Sequence, residues 1–108
     1  MAFKMINQEI YEKEIVNNER PVVMAFSAPW CKYCVALKPT LIELAEELDS
    51  KIDFVGIDID QDEALGNKYR IMTIPTLILR NKGEDIGKVV NPPTKEGIKE
   101  WLVEKGVL

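Results

Sequence analysis

Apolar positions along the chain fall into segments whose spacing alternates between strand and helix periods. Phe3 to Ile6 predicts a short strand, and Asn7 stands where a helix N-cap belongs, ahead of Ile10, Ile15 and Val16 on one loose apolar face. Arg20-Pro21 breaks that period. The next run, Val22-Val23-Met24-Ala25-Phe26, has no polar alternation, as expected of a strand covered on both faces. After Ser27-Ala28-Pro29-Trp30 the strongest helical period begins, with Cys34, Leu37, Leu41, Leu44, Ala45 and Leu48 at spacings of three and four. Lys38, Glu43, Glu46 and Glu47 take its other sides. Pro39 lies inside it and should kink the axis, because its ring removes one intrahelical hydrogen bond.

Ile52 to Asp60 predicts another buried strand, and a short helix follows near Asp62 to Tyr69. Thr76 to Arg80 is then a strand, Asn81-Lys82-Gly83 a turn, and Ile86 to Val90 its hairpin partner. Asn91-Pro92-Pro93 stops that strand. Thr94 caps a last helix carrying Ile98, Trp101 and Leu102, with Trp101 expected in the core. The order is βαβαβαββα. Strands separated by helices give parallel crossovers, and the hairpin adds an antiparallel pair. The expected fold class is α/β, one mixed sheet with helices on both faces. The 108 residues suffice for a single domain, 1–108, and not for two.

Composition narrows the chemistry. The apolar fraction of 46% and charged fraction of 30% are those of an ordinary globular protein. A net charge of −4 argues against a nucleic-acid partner, whose phosphates are held by clustered Lys and Arg. No apolar run approaches the roughly 20 residues of a membrane helix, and the charged opening segment does not read as a signal peptide. A cytoplasmic location and no membrane association are expected. Histidine is absent, which removes Cys–His and Ser–His activation and all histidine metal ligands. The two cysteines, Cys31 and Cys34, form one CxxC, too few for a four-cysteine zinc site. A bridge between them closes a tiny loop and removes little chain entropy, so it is a poor staple. In a reducing compartment such a pair is catalytic or metal-binding.

The segment Ala28-Pro29-Trp30-Cys31-Lys32-Tyr33-Cys34, with Pro39 five residues beyond the second cysteine, resembles the active-site segment of the thioredoxin family. Ile74-Pro75-Thr76, about forty residues on, is similar to the family's cis-proline loop. The resemblance spans the chain and implies the thioredoxin fold, with the Ile74-Pro75 bond cis and Pro75 beside the cysteines. The backbone of Ile74 is then turned outward to pair with an extended substrate segment. Several positions depart from the family pattern. Lys32-Tyr33 replaces Gly-Pro, Ala25 a buried aspartate, Gly56 a lysine, Ser27 an aromatic residue and Asn91 the glycine of a substrate-facing loop.

A CxxC at a helix start places Cys31 where unpaired N–H groups and the helix dipole favour the thiolate. Cys34 lies on the same side and within reach. The expected chemistry is disulfide reduction: Cys31, exposed, attacks a target, and Cys34, shielded, resolves the mixed disulfide. No cofactor beyond this redox-active pair is expected. Lys32 either stabilises the thiolate, placing the potential above the roughly −270 mV of thioredoxin, or points into screened solvent. Tyr33 offers a ring for substrate packing or caps exposed surface. Trp30 packs beside the site. In the family the buried carboxylate helps deprotonate the second cysteine; Ala25 cannot, so the resemblance leaves that duty to a water or to whichever of Asp58 and Asp60 faces inward, or else resolution is slower at neutral pH. Met72 and Ile74 are each expected to be buried, with an apolar rim for partners as the other reading.

The expected partners are protein disulfides and a flavin-containing reductase of the thioredoxin-reductase type, acting on a monomer. The alternatives are glutaredoxin-like deglutathionylation, suggested by Tyr33, and a non-catalytic binding subunit.

Overall fold

A computed structural model describes residues 3–92 and 94–108. Pro93, the last of the three residues expected to stop the final strand, lies outside them, as do Met1 and Ala2. The elements follow the predicted order: β1 (Lys4–Ile6), α1 (Gln8–Tyr11), β2 (Val22–Ser27), α2 (Lys32–Glu47), β3 (Asp53–Asp58), α3 (Glu63–Lys68), β4 (Thr76–Asn81), β5 (Glu84–Val90) and α4 (Lys95–Glu104). The strands form one sheet in the order β1-β3-β2-β4-β5. β1, β3 and β2 are parallel, while β4 runs antiparallel to both β2 and β5. This is the mixed sheet of a thioredoxin fold.

β2 explains its own lack of alternation. Val22, Met24 and Phe26 enter a core with Ile6, Tyr11, Ile15, Val55, Ile57, Leu65 and Ile78. Val23 and Ala25 face the other side, among Leu37, Leu41 and Leu44 of α2 and Ile98 and Leu102 of α4. Both faces of the sheet are covered, so every position from Val22 to Phe26 is buried.

Three departures from the expected elements exceed a single residue. First, Gln8–Tyr11 passes into a π-helical turn over Glu12–Val16, where the Asn17 N–H donates to the Glu12 carbonyl at 2.8 Å. The wider turn shifts the side-chain phase. Tyr11 and Ile15 are buried as a result, while Val16 is exposed rather than on the apolar face. Second, β3 ends at Asp58, whose Oδ1 accepts from the N–H groups of Asp60 (2.8 Å) and Gln61 (3.4 Å). That turn takes Ile59 and Asp60 out of the strand. Third, β5 begins at Glu84, two residues before Ile86. Lys82 (φ 51°) and Gly83 (φ 82°) make a two-residue hairpin loop. Leu79 pairs with Gly87 and Arg80 with Asp85, leaving Ile86 as a bulge that breaks the alternation by which the strand would be recognised.

Helix α2 continues past Pro39 without interruption. Asn7 and Thr94 cap their helices, accepting from the Ile10 and Gly97 N–H groups at 3.2 and 2.9 Å. Trp101 is half-buried rather than enclosed. It packs against Gly87, where a Cβ would lie 3.0 Å from the ring. No helix among the described residues is long and apolar enough to cross a membrane.

Candidate active site

β2 delivers the chain to the C-terminal edge of the parallel strands, where crevices form in open α/β sheets. A turn closed by Cys31 N–H to the Ala28 carbonyl (3.1 Å) then sets up the start of α2. Cys31 is the N-cap of that 16-residue helix, with extended backbone, and its Sγ accepts from the Cys34 N–H at 3.2 Å. Serine and aspartate cap helices in the same way; here the acceptor is sulfur. One turn on, Cys34 brings its own sulfur back to Cys31, and the two are joined as a disulfide with Cα atoms 5.2 Å apart.

The expected contrast between an exposed Cys31 and a shielded Cys34 is not present in this state. Their exposures are 9% and 7%. Capping and bridging both turn the Cys31 sulfur inward, so the two residues differ by what they face rather than by accessibility. Cys31 Sγ lies 4.0 Å from the Ile74 carbonyl oxygen, whereas Cys34 lines a cavity behind the helix start.

The Ile74-Pro75 bond is cis. Pro75 is buried and Ile74 half-buried. Thr76 Oγ1 donates to the Thr73 carbonyl at 2.5 Å and the Asn91 N–H to the Pro75 carbonyl at 2.9 Å, fixing this loop from both ends. Asn91 has φ 51°, a left-handed conformation that asparagine tolerates better than most residues with a side chain. Met72 is 94% exposed, so the expectation of burial fails for it: it stands on the loop ahead of the cis bond, beyond the reach of the core. Trp30 is 66% exposed, and its indole N–H donates to Asp60 Oδ2 at 2.7 Å. Lys32 is the exposed first residue of α2. The Tyr33 hydroxyl donates to the Pro92 carbonyl at 2.5 Å, a role outside both readings drawn from its sequence position.

A cavity of about 270 Å³ opens behind Cys34. Ala25, Leu37, Leu41, Phe3 and Met5 are among its apolar lining, and Ser27, Lys38 and Asp58 bring polar groups to it. Ala25 pairs in register with Gly56, over which Met5 and Phe3 are folded. A Cβ on Gly56 would lie 2.5 Å from Met5 Sδ and 2.7 Å from Phe3 Cζ. The two carboxylates left open by the sequence thus separate: Asp58 faces the cavity shared with Cys34, and Asp60 holds Trp30. The walls contributed by Phe3 and Met5 went unnoticed in the sequence. Their alternation, two residues apart in a parallel strand beside a glycine, was the available signal. Among the described residues no group of three or more His, Cys, Asp or Glu side chains is arranged to hold a metal ion.

Comparison with known proteins agrees with this geometry. A sequence profile of the thioredoxin family matches residues 2–104. Thioredoxin of Pyropia yezoensis is 32% identical over 94% of this chain and 95% of its own length. Thioredoxin of Staphylococcus epidermidis is 34% identical over 94% and 96%. For thioredoxin of Bacillus subtilis the identity is 39%, over 82% and 84%. With the cysteine pair bridged at the start of α2 and the similarity running through nearly all of both chains, this protein belongs to the thioredoxin family of thiol–disulfide oxidoreductases acting on protein disulfides.

Proposed function

We propose that the protein works as a reductant, with Cys31 as nucleophile and Cys34 as resolving thiol. The Cys31 thiolate attacks one sulfur of a target disulfide; that bond breaks and the other target sulfur leaves as a thiolate. Cys34, having lost its proton, then attacks Cys31 Sγ. The mixed disulfide breaks, the second target thiolate leaves, and the Cys31–Cys34 bond closes. Two electrons pass to the target, and a flavin-containing reductase of the thioredoxin-reductase type returns the pair to the dithiol.

The observation that carries the assignment is the Cys34 N–H aimed at Cys31 Sγ at 3.2 Å, at the positive end of a 16-residue helix. A sulfur there gains from being an anion, and the same arrangement does nothing for Cys34. Asp58 accepts the Cys34 proton, directly or through water in the shared cavity. Its Oδ1 accepts from the Asp60 and Gln61 N–H groups, which fixes the carboxylate in place on the cavity it shares with Cys34. Trp30, Ile74, Pro75 and Asn91 flank the sulfur as the substrate-facing surface. Glutaredoxin-like deglutathionylation has less support: the Tyr33 hydroxyl that suggested it is engaged by Pro92, and the β1–α1 unit, generally missing from glutaredoxins, is in place. A monomer acting in the cytoplasm fits this scheme.

Insulin-disulfide reduction driven by NADPH and a flavoenzyme reductase measures the activity. Cys34→Ser should accumulate covalent adducts with target proteins that a thiol reductant releases, and Cys31→Ser should accumulate none. Equal adduct formation by the two variants would reverse the assignment of nucleophile.

A further inference from the structure

The second of the two residues between the cysteines is tied to a different part of the molecule. Tyr33 sits in the first turn of α2, and its hydroxyl reaches the Pro92 carbonyl, 59 residues away in sequence, at 2.5 Å. Pro92 is buried, and a buried carbonyl requires a donor. The loop cannot supply many of its own, because Pro92 and Pro93 carry no backbone N–H. Asn91, in left-handed backbone, contributes one bond from its N–H to the Pro75 carbonyl. Among its described residues, the stretch after β5 is thus held to the cis-proline loop through Asn91 and to the helix start through Tyr33.

These three segments are linked to one another at the cysteine pair. Cys31 caps α2, Ile74 places its carbonyl 4.0 Å from Cys31 Sγ, and Asn91 lies against Pro75. Tyr33 is 41% exposed, so it is anchored at its hydroxyl end while part of the residue remains open to a partner. An aromatic ring with two side-chain torsions, fixed at its tip, is a rigid contact surface that loses little freedom on docking.

We propose that Tyr33 is a positioning residue for protein substrates: its hydroxyl straps the Asn91–Pro92 loop to the start of α2 and so sets the surface on which a polypeptide target docks beside Cys31. This rests on the reading above that protein disulfides are the substrates. A small disulfide presents sulfur alone and uses little of that surface, whereas a polypeptide must fit all three segments.

The test is Tyr33→Phe, which keeps the ring and removes only the hydroxyl. The ratio of kcat/KM for insulin to the rate constant for a small aromatic disulfide should fall about fivefold, the equivalent of one typical hydrogen bond. The change should lie in KM for insulin. The Asn91 amide hydrogen, which is bonded to the Pro75 carbonyl, should exchange about fivefold faster in the variant, since the loop has lost its tie to α2. An unchanged ratio, or a loss residing wholly in kcat, overturns the positioning role. Unchanged exchange at Asn91 overturns the strap itself. If the wild type reduces the small disulfide but no protein, the reading of function fails and takes this inference with it; if the wild type reduces both and the variant matches it, only the inference fails.

Discussion

Asp58 and Asp60, two positions apart on either side of the turn that ends β3, illustrate how a turn separates neighbouring carboxylates. Asp58 is the last strand residue and opens onto the cavity of Cys34; Asp60, past the turn, holds the Trp30 indole. Asp58→Asn should slow resolution of the mixed disulfide about tenfold near neutral pH, at the low end of what a positioned base contributes. The deficit should close as pH approaches the ordinary thiol range and Cys34 ionises without help. Asp60→Asn should leave that pH profile unchanged while altering Trp30 emission. Single-turnover reduction of a model disulfide across pH checks both, and identical profiles for wild type and Asp58→Asn would remove Asp58 from the mechanism. Much of this site was legible in the sequence: Cys31, Cys34 and Pro75 announce themselves by type and spacing. Tyr33 did not, because its partner is a backbone carbonyl 59 positions away, and no side-chain identity marks a carbonyl as available. The near-equal burial of the two cysteines was equally hidden, since it follows from which way the capping sulfur turns.

At the level of elements, α2 and α4 are joined across the outer face by a cluster of charges. Lys95 bonds Glu47 and, at 3.1 Å, Glu43; Lys99 meets Glu47 at 2.8 Å. Hydrogen bonding by Lys95 and then Lys99 lowers the Glu47 pKa from 4.5 to about 2, and Lys95 is raised in turn, chiefly by Glu47. Because the folded value of Glu47 is the depressed one, its contribution is complete above about 4.5 and is lost as pH falls toward about 2. Glu47→Gln should therefore differ most from wild type in urea midpoint at pH 6, with the difference vanishing by about pH 2. Added salt should shrink it throughout, as these groups are solvent-facing. The helices themselves were readable from period and caps, and the strands from apolar runs. What escaped were local irregularities: the π turn that exposes Val16 and the bulge at Ile86. Each inserts backbone without leaving a compositional mark, so a pattern of fixed period slides past it.

For the molecule as a whole, reduction potential integrates the surroundings of the bridge rather than any one contact. The net charge is −4, yet the residue next to Cys31 is a lysine. A cation there should favour the Cys31 thiolate, and through it the dithiol, making the disulfide more oxidising than the roughly −270 mV of thioredoxin. Lys32 is exposed, so the displacement should be modest and diminish with ionic strength. Equilibration with glutathione buffers, repeated for Lys32→Gln, measures it; a wild-type value at or below −270 mV would show that solvent screens the ammonium completely.

The alanine at position 25 has one more consequence. An acid sealed in the interior weakens a protein at whatever pH it ionises, because the unfolded chain hydrates the charge better. Here the interior position carries a methyl group, and the carboxylate sits at the rim, already furnished with two backbone donors. Durability and turnover are thereby uncoupled, and heat should unfold the wild type at nearly the same temperature across the neutral range in which the sulfurs do their work.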